Sequence, residues 1–304
     1  MGRLKRVSGD FIMNILASVI YTFARQIVVF PLLASRLTEG DYGTLLTVTG
    51  LTSVCTAMIG NALNNIRLIE DSRYQEQGLR GDFNVLCLLG SGVSVVFAIV
   101  LWRLFSLSAL TAILLGAYLI VTNFYQYATS FFWLELNTKR ILLCNTVVSA
   151  AYCAAALTFA TAELWPAVFL IGEGTGLLFV SKTTPFLREP LARTVLFSNT
   201  AKTLLTYMTT NLIGNFLMYA DRMILYPMLG AESVSYYSTA AFFGKSASIV
   251  MLPISGVLLG YFAQKDFKAS KKLFALVNGC SLLCLAVFLL GCWLFAPWFT
   301  RLLY

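Results

Sequence analysis

Long apolar runs alternate with short polar connections along the whole chain. Nine of the runs, roughly residues 11–33, 44–66, 83–102, 106–132, 141–161, 164–181, 203–228, 235–261 and 273–296, read as helices able to span a bilayer core of about 30 Å. The connections leave no extramembrane segment large enough to fold alone, so the pattern predicts an all-α integral membrane protein. The first run sets the theme. Asn14, Ser18, Tyr21 and Arg25 recur at helical spacing on one stripe, while Ile, Leu, Val and Phe occupy the other faces. Arg25 lies a few residues past the middle of the span, where a charge costs at least about 2.5–3.5 kcal/mol. Two readings follow. Arg25 is a structural arginine paired with a carboxylate or carbonyls, or it is a cation lining a water-filled path where an anionic substrate meets it.

Later runs repeat the theme. The second carries Thr49, Ser53, Thr56 and Gly60 on one stripe, then Asn61, Asn64 and Asn65; such residues serve helix packing or line a polar path. The fourth carries Tyr118, Thr122, Tyr125 and Thr129, with Tyr127, Phe131, Phe132 and Trp133 placed as an interfacial belt. In the sixth, Glu173 sits within Gly172-Glu173-Gly174-Thr175-Gly176. The glycines permit close helix contact or a local break, and the acid either neutralises Arg25 or Lys245 or takes up and releases a proton. The eighth places Ser238, Ala241, Lys245 and Ser248 on one face.

Composition removes the soluble alternatives. Hydrophobic residues make up 58% of the 304, charged residues 12%, and the mean hydropathy is +0.77. The first run is too long for a signal-peptide core, and no small-residue cleavage site follows it, so it reads as a retained span. The net charge of +8 is a topological signal rather than a nucleic-acid patch. With the N-terminus inside, sixteen of the 22 Lys and Arg fall in inner segments and four in outer ones, leaving Arg25 and Lys245 within spans. The seven cysteines lie within apolar segments as packing residues, histidine is absent, and there is no phosphate-binding glycine loop. Nothing calls for a metal, a cofactor or a catalytic residue. A glycan polymerase or transferase would need a sizeable outer loop, which the spacing does not provide.

The chain also echoes itself. Asn211, Asn215 and Arg222 repeat the spacing of Asn14, Ser18 and Arg25 at an offset of 197, with Asp221 beside Arg222 at the membrane edge. Pro227 follows Arg222 much as Pro31 follows Arg25. Both stretches run from inside to outside and open a lobe, as in a parallel repeat about an axis along the membrane normal. The polar connection 182–202, with Pro185 and Pro190, marks the boundary. The expected organisation is a six-helix lobe over 1–198 and a partial, three-helix repeat lobe over 199–304. On that pattern a full copy needs three further spans after Tyr304, which leaves an inactive truncated remnant as one alternative.

Two stretches carry a family resemblance. One is Arg36-Leu37-Thr38-Glu39-Gly40-Asp41-Tyr42-Gly43 with Gly60 to Arg67; the other is Asp221-Arg222 followed by Leu229-Gly230 and Val234-Ser235-Tyr236-Tyr237-Ser238. In this order the chain resembles the O-antigen (Wzx-type) polysaccharide flippases of the multidrug/oligosaccharidyl-lipid/polysaccharide exporter superfamily. The resemblance implies two helical lobes around a central cavity, and alternating access that moves undecaprenyl-pyrophosphate-linked oligosaccharide from the cytoplasmic to the periplasmic leaflet of the bacterial inner membrane. It implies lipid-linked oligosaccharide, membrane lipids and polysaccharide polymerase or assembly proteins as partners, and no nucleic acid. Arg25, and with it Arg222 and Lys245, would meet the pyrophosphate. Asn14, Ser18, Tyr21, Asn211 and Asn215 would meet phosphate or sugar, and Glu173 and Asp221 would couple an ion or pair a charge. A drug/cation antiporter of the same superfamily is the alternative, disfavoured by the surplus of intramembrane cations over acids.

Overall fold

The computed structural model describes residues 2–262, with side chains from residue 12 to residue 241, and short helical pieces between 278 and 294. The described residues are helical, without a strand. The helices are α1 (Gly2–Phe23), α2 (Phe30–Ala34), α3 (Glu39–Thr56), α4 (Ala62–Glu76), α5 (Asp82–Leu104), α6 (Ala109–Leu134), α7 (Thr138–Phe159), α8 (Trp165–Thr183) and α9 (Phe197–Phe262). Among the described residues, five stretches are long and apolar enough to cross a membrane: Ile12–Ala34, Glu39–Glu76, Asp82–Leu104, Ala109–Leu134 and Thr138–Phe159. The chain is an all-α membrane protein.

Two compact units divide it, Met1–Ser235 and Tyr236–Tyr304. In the first, α6 packs against α8, α5 and α4, while α7 packs against α8 and α1. The outward faces carry residues such as Leu88, Val93, Val96, Ile99 and Ile113, which suit lipid. Between helices in lipid the attraction is packing and hydrogen bonding, since the surrounding tails are as apolar as leucine. The second unit holds the end of α9 and the short helical pieces that follow; the side chain of Lys245 and much of the ninth expected span lie outside the described residues.

Two turns of the wide, π-helical kind interrupt the first two membrane stretches, at Ala24–Val29 and Ala57–Asn61. Each has a local cause. Pro31 has no N–H to donate, and its ring crowds the carbonyl four residues back, so the preceding turn opens and the Phe30 N–H reaches the Arg25 carbonyl. At the second, the Gly60 N–H donates to Asn123 Oδ1 at 3.2 Å. A Cβ on Gly60 would come within 3.0 Å of Asn123 Cα, so glycine sets this approach of helices.

The second helix begins earlier and ends later than its apolar run. Thr38 caps it by accepting from the Asp41 N–H at 3.1 Å. At the other end the polar residues Arg67, Asp71 and Tyr74 continue the helix because they are buried against the segment that follows α8. Arg67 donates both Nη atoms to Glu189, at 3.1 and 2.8 Å, and Nε to Asp71 at 3.1 Å, with Phe186 and Phe83 over its faces. Asn84 Nδ2 donates to the Phe186 and Glu189 carbonyls. Asp82 accepts from the Thr194 N–H and from the Tyr74 hydroxyl. The connection expected as a polar boundary is therefore bound along its length to α4 and α5.

Candidate functional site

Arg25 sits on the Ala24–Val29 turn, one helical turn beyond Tyr21, and both face α8. The Tyr21 hydroxyl donates to Glu173 Oε1 at 2.7 Å, and Tyr152 from α7 donates to the same oxygen at 2.6 Å. Glu173 is 2% exposed. Its other oxygen, Oε2, is buried with no hydrogen-bond partner. An ionised carboxylate in such surroundings needs charge as well as hydroxyls near it. Arg25 is the cation of this cluster, one helical turn from Tyr21 and beside Phe169, which precedes Glu173 by four residues on α8. Among the described residues no carboxylate oxygen lies within 4.0 Å of its guanidinium nitrogens. The guanidinium instead lies 5.2 Å from the Phe169 ring centre and 5.9 Å from that of Phe30.

The local sequence of α8 builds this cluster. Phe169 and Glu173 are four residues apart and share a face. Phe169 is the aromatic hub, with Tyr118, Tyr152, Trp165 and Phe30 rings all about 6 Å away. Gly172 and Gly176, also four apart, let α7 and α6 approach: a Cβ at Gly172 would lie 2.7 Å from the Tyr152 ring, and one at Gly176 would lie 2.6 Å from Tyr125. A Cβ at Gly174 would meet nothing. Of the two roles open to these glycines, close contact is the one realised, and α8 runs unbroken from Trp165 to Thr183.

A cavity of about 230 Å³ lies against the cluster. Tyr21 and Glu173 line it together with Tyr125, Gln126, Thr129 and Asn145, and it reaches Trp133 and Ile141 on either side of the turn between α6 and α7. Asn145 also donates to the Ala17 carbonyl at 3.1 Å, which ties α7 to α1. Asn14 is half-buried and Ser18 exposed, the latter accepting through its carbonyl from the Thr22 hydroxyl.

The residues expected from the repeat gather elsewhere in the first unit. Asn211 donates to the Ala57 carbonyl of the second wide turn at 3.0 Å, and Asn215 donates to the Asn211 carbonyl. Arg222 donates through Nη1 to the Leu46 carbonyl at 3.2 Å, while its backbone N–H meets Asp221 Oδ1. With the Tyr226 hydroxyl against Thr44, these pairs run in opposite directions along α3 and α9, an antiparallel contact. Gly43 and Gly50 allow it: a Cβ on Gly43 would overlap the Ala231 carbonyl, and one on Gly50 would lie 3.1 Å from the Tyr219 ring. Thus Arg25, Tyr21 and Glu173 come together, Arg222 and Asn211 bond across a different contact, and Asn215 bonds within α9.

No family model, curated protein or solved structure matches this chain. What the site can do is therefore read from its own chemistry. Tyr152 and Phe169 were not singled out by the sequence pattern. The one available signal for Tyr152 is its place as a lone large polar side chain in the small-residue run Ala150-Ala151-Tyr152-Cys153-Ala154-Ala155-Ala156.

Proposed function

We propose that the chain is a transporter that flips undecaprenyl-pyrophosphate-linked oligosaccharide, an O-antigen or capsule repeat unit, from the cytoplasmic to the periplasmic leaflet of a bacterial inner membrane. On this reading it has nine spans with the N-terminus in the cytoplasm. A six-helix lobe and a partial repeat lobe work by alternating access, and no covalent chemistry is performed. Its partners are the lipid-linked oligosaccharide, membrane lipids and the proteins that polymerise and assemble the glycan.

One observation carries the reading. Arg25 is a cation in the middle of a membrane helix whose nearest acid is already held by two tyrosine hydroxyls, so the guanidinium has no ion-pair partner among the described residues. A planar guanidinium suits a pyrophosphate because it donates in pairs to phosphate oxygens and stays charged in a low-dielectric site. The test is the sidedness of polyprenyl-linked oligosaccharide in cells whose own copy is deleted. Arg25→Ala protein, inserted at normal levels, is expected to leave the oligosaccharide on the cytoplasmic leaflet. Normal surface glycan with that variant would sink the proposal.

A drug/cation antiporter is the second reading. It is favoured by the cavity beside α6, which Glu173 lines and no Lys or Arg joins. Drug resistance on overexpression, with unchanged glycan on deletion, would put that reading first.

A further inference from the structure

The second membrane stretch is held by different neighbours on the two sides of its wide turn. Before the turn, α3 is joined to α9 through Arg222 Nη1 on the Leu46 carbonyl and through the Tyr226 and Thr44 hydroxyls, each pair 3.2 Å apart. The hydroxyls of Thr47, Thr49, Thr52, Ser53 and Thr56 donate to carbonyls of α3 itself. After the turn, α4 is joined to α6. Asn64 Nδ2 donates to the Gln126 carbonyl at 2.7 Å and to Thr129 Oγ1 at 3.1 Å. The turn between them takes one amide from each partner. Asn211 of α9 donates to the Ala57 carbonyl at its start, and Asn123 of α6 accepts from the Gly60 N–H near its end. Asn123 is fully buried and is held in turn by α5, its Nδ2 donating to Ser94 Oγ at 2.8 Å. Met58 and Ile59 lie between the two attachments. The first wide turn has a covalent cause in Pro31. No proline stands between Ala57 and Glu76, so the shape of the second is set by the neighbours that hold it.

We propose that the wide turn Ala57–Asn61 is a hinge in the second membrane stretch, about which α3 and the part of α9 bonded to it swing against α4, α5 and α6. A hinge is a few residues that absorb a change of backbone angles while the segments on either side keep their own contacts. Here the Asn211 bond travels with α3 and the Asn123 bond stays with α6, so the change falls on Met58 and Ile59. A membrane helix bends at such a turn without leaving its backbone groups unmet, because side chains of neighbouring helices meet them. The hinge also backs onto the cavity. A Cβ on Gly60 would lie 3.1 Å from Gln126, which lines the cavity together with Thr129. The swing therefore begins one residue from that wall. The assignment holds whichever ligand the cavity takes, and it does not depend on the reading of Arg25.

Double electron–electron resonance on the full chain in lipid nanodiscs tests the hinge, with nitroxide side chains introduced through a bio-orthogonal handle so that the native cysteines stay. One pair of labels, at Gly40 of α3 and at exposed Val96 of α5, spans the hinge. The other, at exposed Ser72 of α4 and at Val96, does not. A Cβ at Gly40 meets nothing, so that position accepts a label. The expected result is a Gly40–Val96 distance distribution broader than that of Ser72–Val96 by about 2 Å or more. A disulfide holds the joint, because a Cβ on Gly90 would lie 3.6 Å from Ile59 Cβ, within the span of such a bridge. Ile59→Cys with Gly90→Cys should, when oxidised, narrow Gly40–Val96 to the width of the other pair, and reduction should restore it. Equal widths in the unchanged chain, or a width that the bridge leaves unaltered, would overturn the hinge. If that variant does not fold or does not bridge, Asn211→Leu decides. It should shift Gly40–Val96 and leave Ser72–Val96 where it was; a shift of both distances, or of neither, overturns the proposal.

Discussion

Two arginines in the first unit are held in contrasting ways. Arg67 has its three guanidinium nitrogens on carboxylates, two on Glu189 and one on Asp71, and a phenylalanine ring on either face. Arg25 is within ion-pair distance of no carboxylate among the described residues and lies instead against the rings of Phe169 and Phe30. The first arrangement engages every guanidinium nitrogen with a carboxylate. The second leaves the charge without a direct ion-pair partner, which is what the proposed anion-binding role requires. Burial alone does not tell these two arginines apart; the presence or absence of direct carboxylate partners does.

The largest effect expected from this contrast is on stability. Arg67→Ala leaves Glu189 and Asp71 buried without their counter-charge, a loss of about 3–5 kcal/mol. It should appear as a collapse in the yield of folded protein in mild detergent. Arg25→Ala should cost less, because no direct ion pair is broken, and its thermal unfolding in detergent should stay nearer that of the unchanged chain. Equal losses at the two positions would erase the distinction.

Packing comes next. Gly172→Ala places a methyl group against the Tyr152 ring, and overpacking of this kind costs about 1–3 kcal/mol. Gly174→Ala, two residues along, meets open space and should shift unfolding by less than about 1 kcal/mol. A smaller difference is expected within the cluster. Tyr152→Phe removes one of the two hydroxyls on Glu173 Oε1, a change of about 1–2 kcal/mol on unfolding in detergent. Tyr21→Phe removes the other and should have a similar effect, and the double variant should cost more than either. A double variant no worse than one single change would mean that the hydroxyls do not share the carboxylate.

Much of the fold is legible in the pattern of the chain. The helical, membrane-embedded character follows from run length and hydropathy, and the stripe that brings Tyr21 and Arg25 to one face follows from helical period. Pairing of Glu173 with Arg25 stood among the readings open to that acid; in the structure the hydrogen bonds to Glu173 come from tyrosines instead. Its companions were harder to see. Tyr152 looks like one residue in an alanine-rich run until α7 is laid on Gly172, and Phe169 looks like any apolar residue of α8. The reach of the first compact unit as far as Ser235 depends on α9 lying antiparallel to α3 through Gly43 and Gly50. No local signal reports that a distant helix will seat there.

The sequence by itself determined that this chain lies in a membrane as helices. Twenty apolar residues in a row have no other low-energy place, and a backbone in lipid must satisfy its hydrogen bonds within the helix. It also determined which residues would be costly there, Arg25 and Glu173 above all. Only the tertiary structure decided how each cost is met. Arg67 met carboxylates from its own helix and from a segment more than a hundred residues away, whereas Glu173 met two hydroxyls on one oxygen and none on the other. Such partnerships join positions far apart in the chain, and the interactions that choose them exist only once the helices have packed.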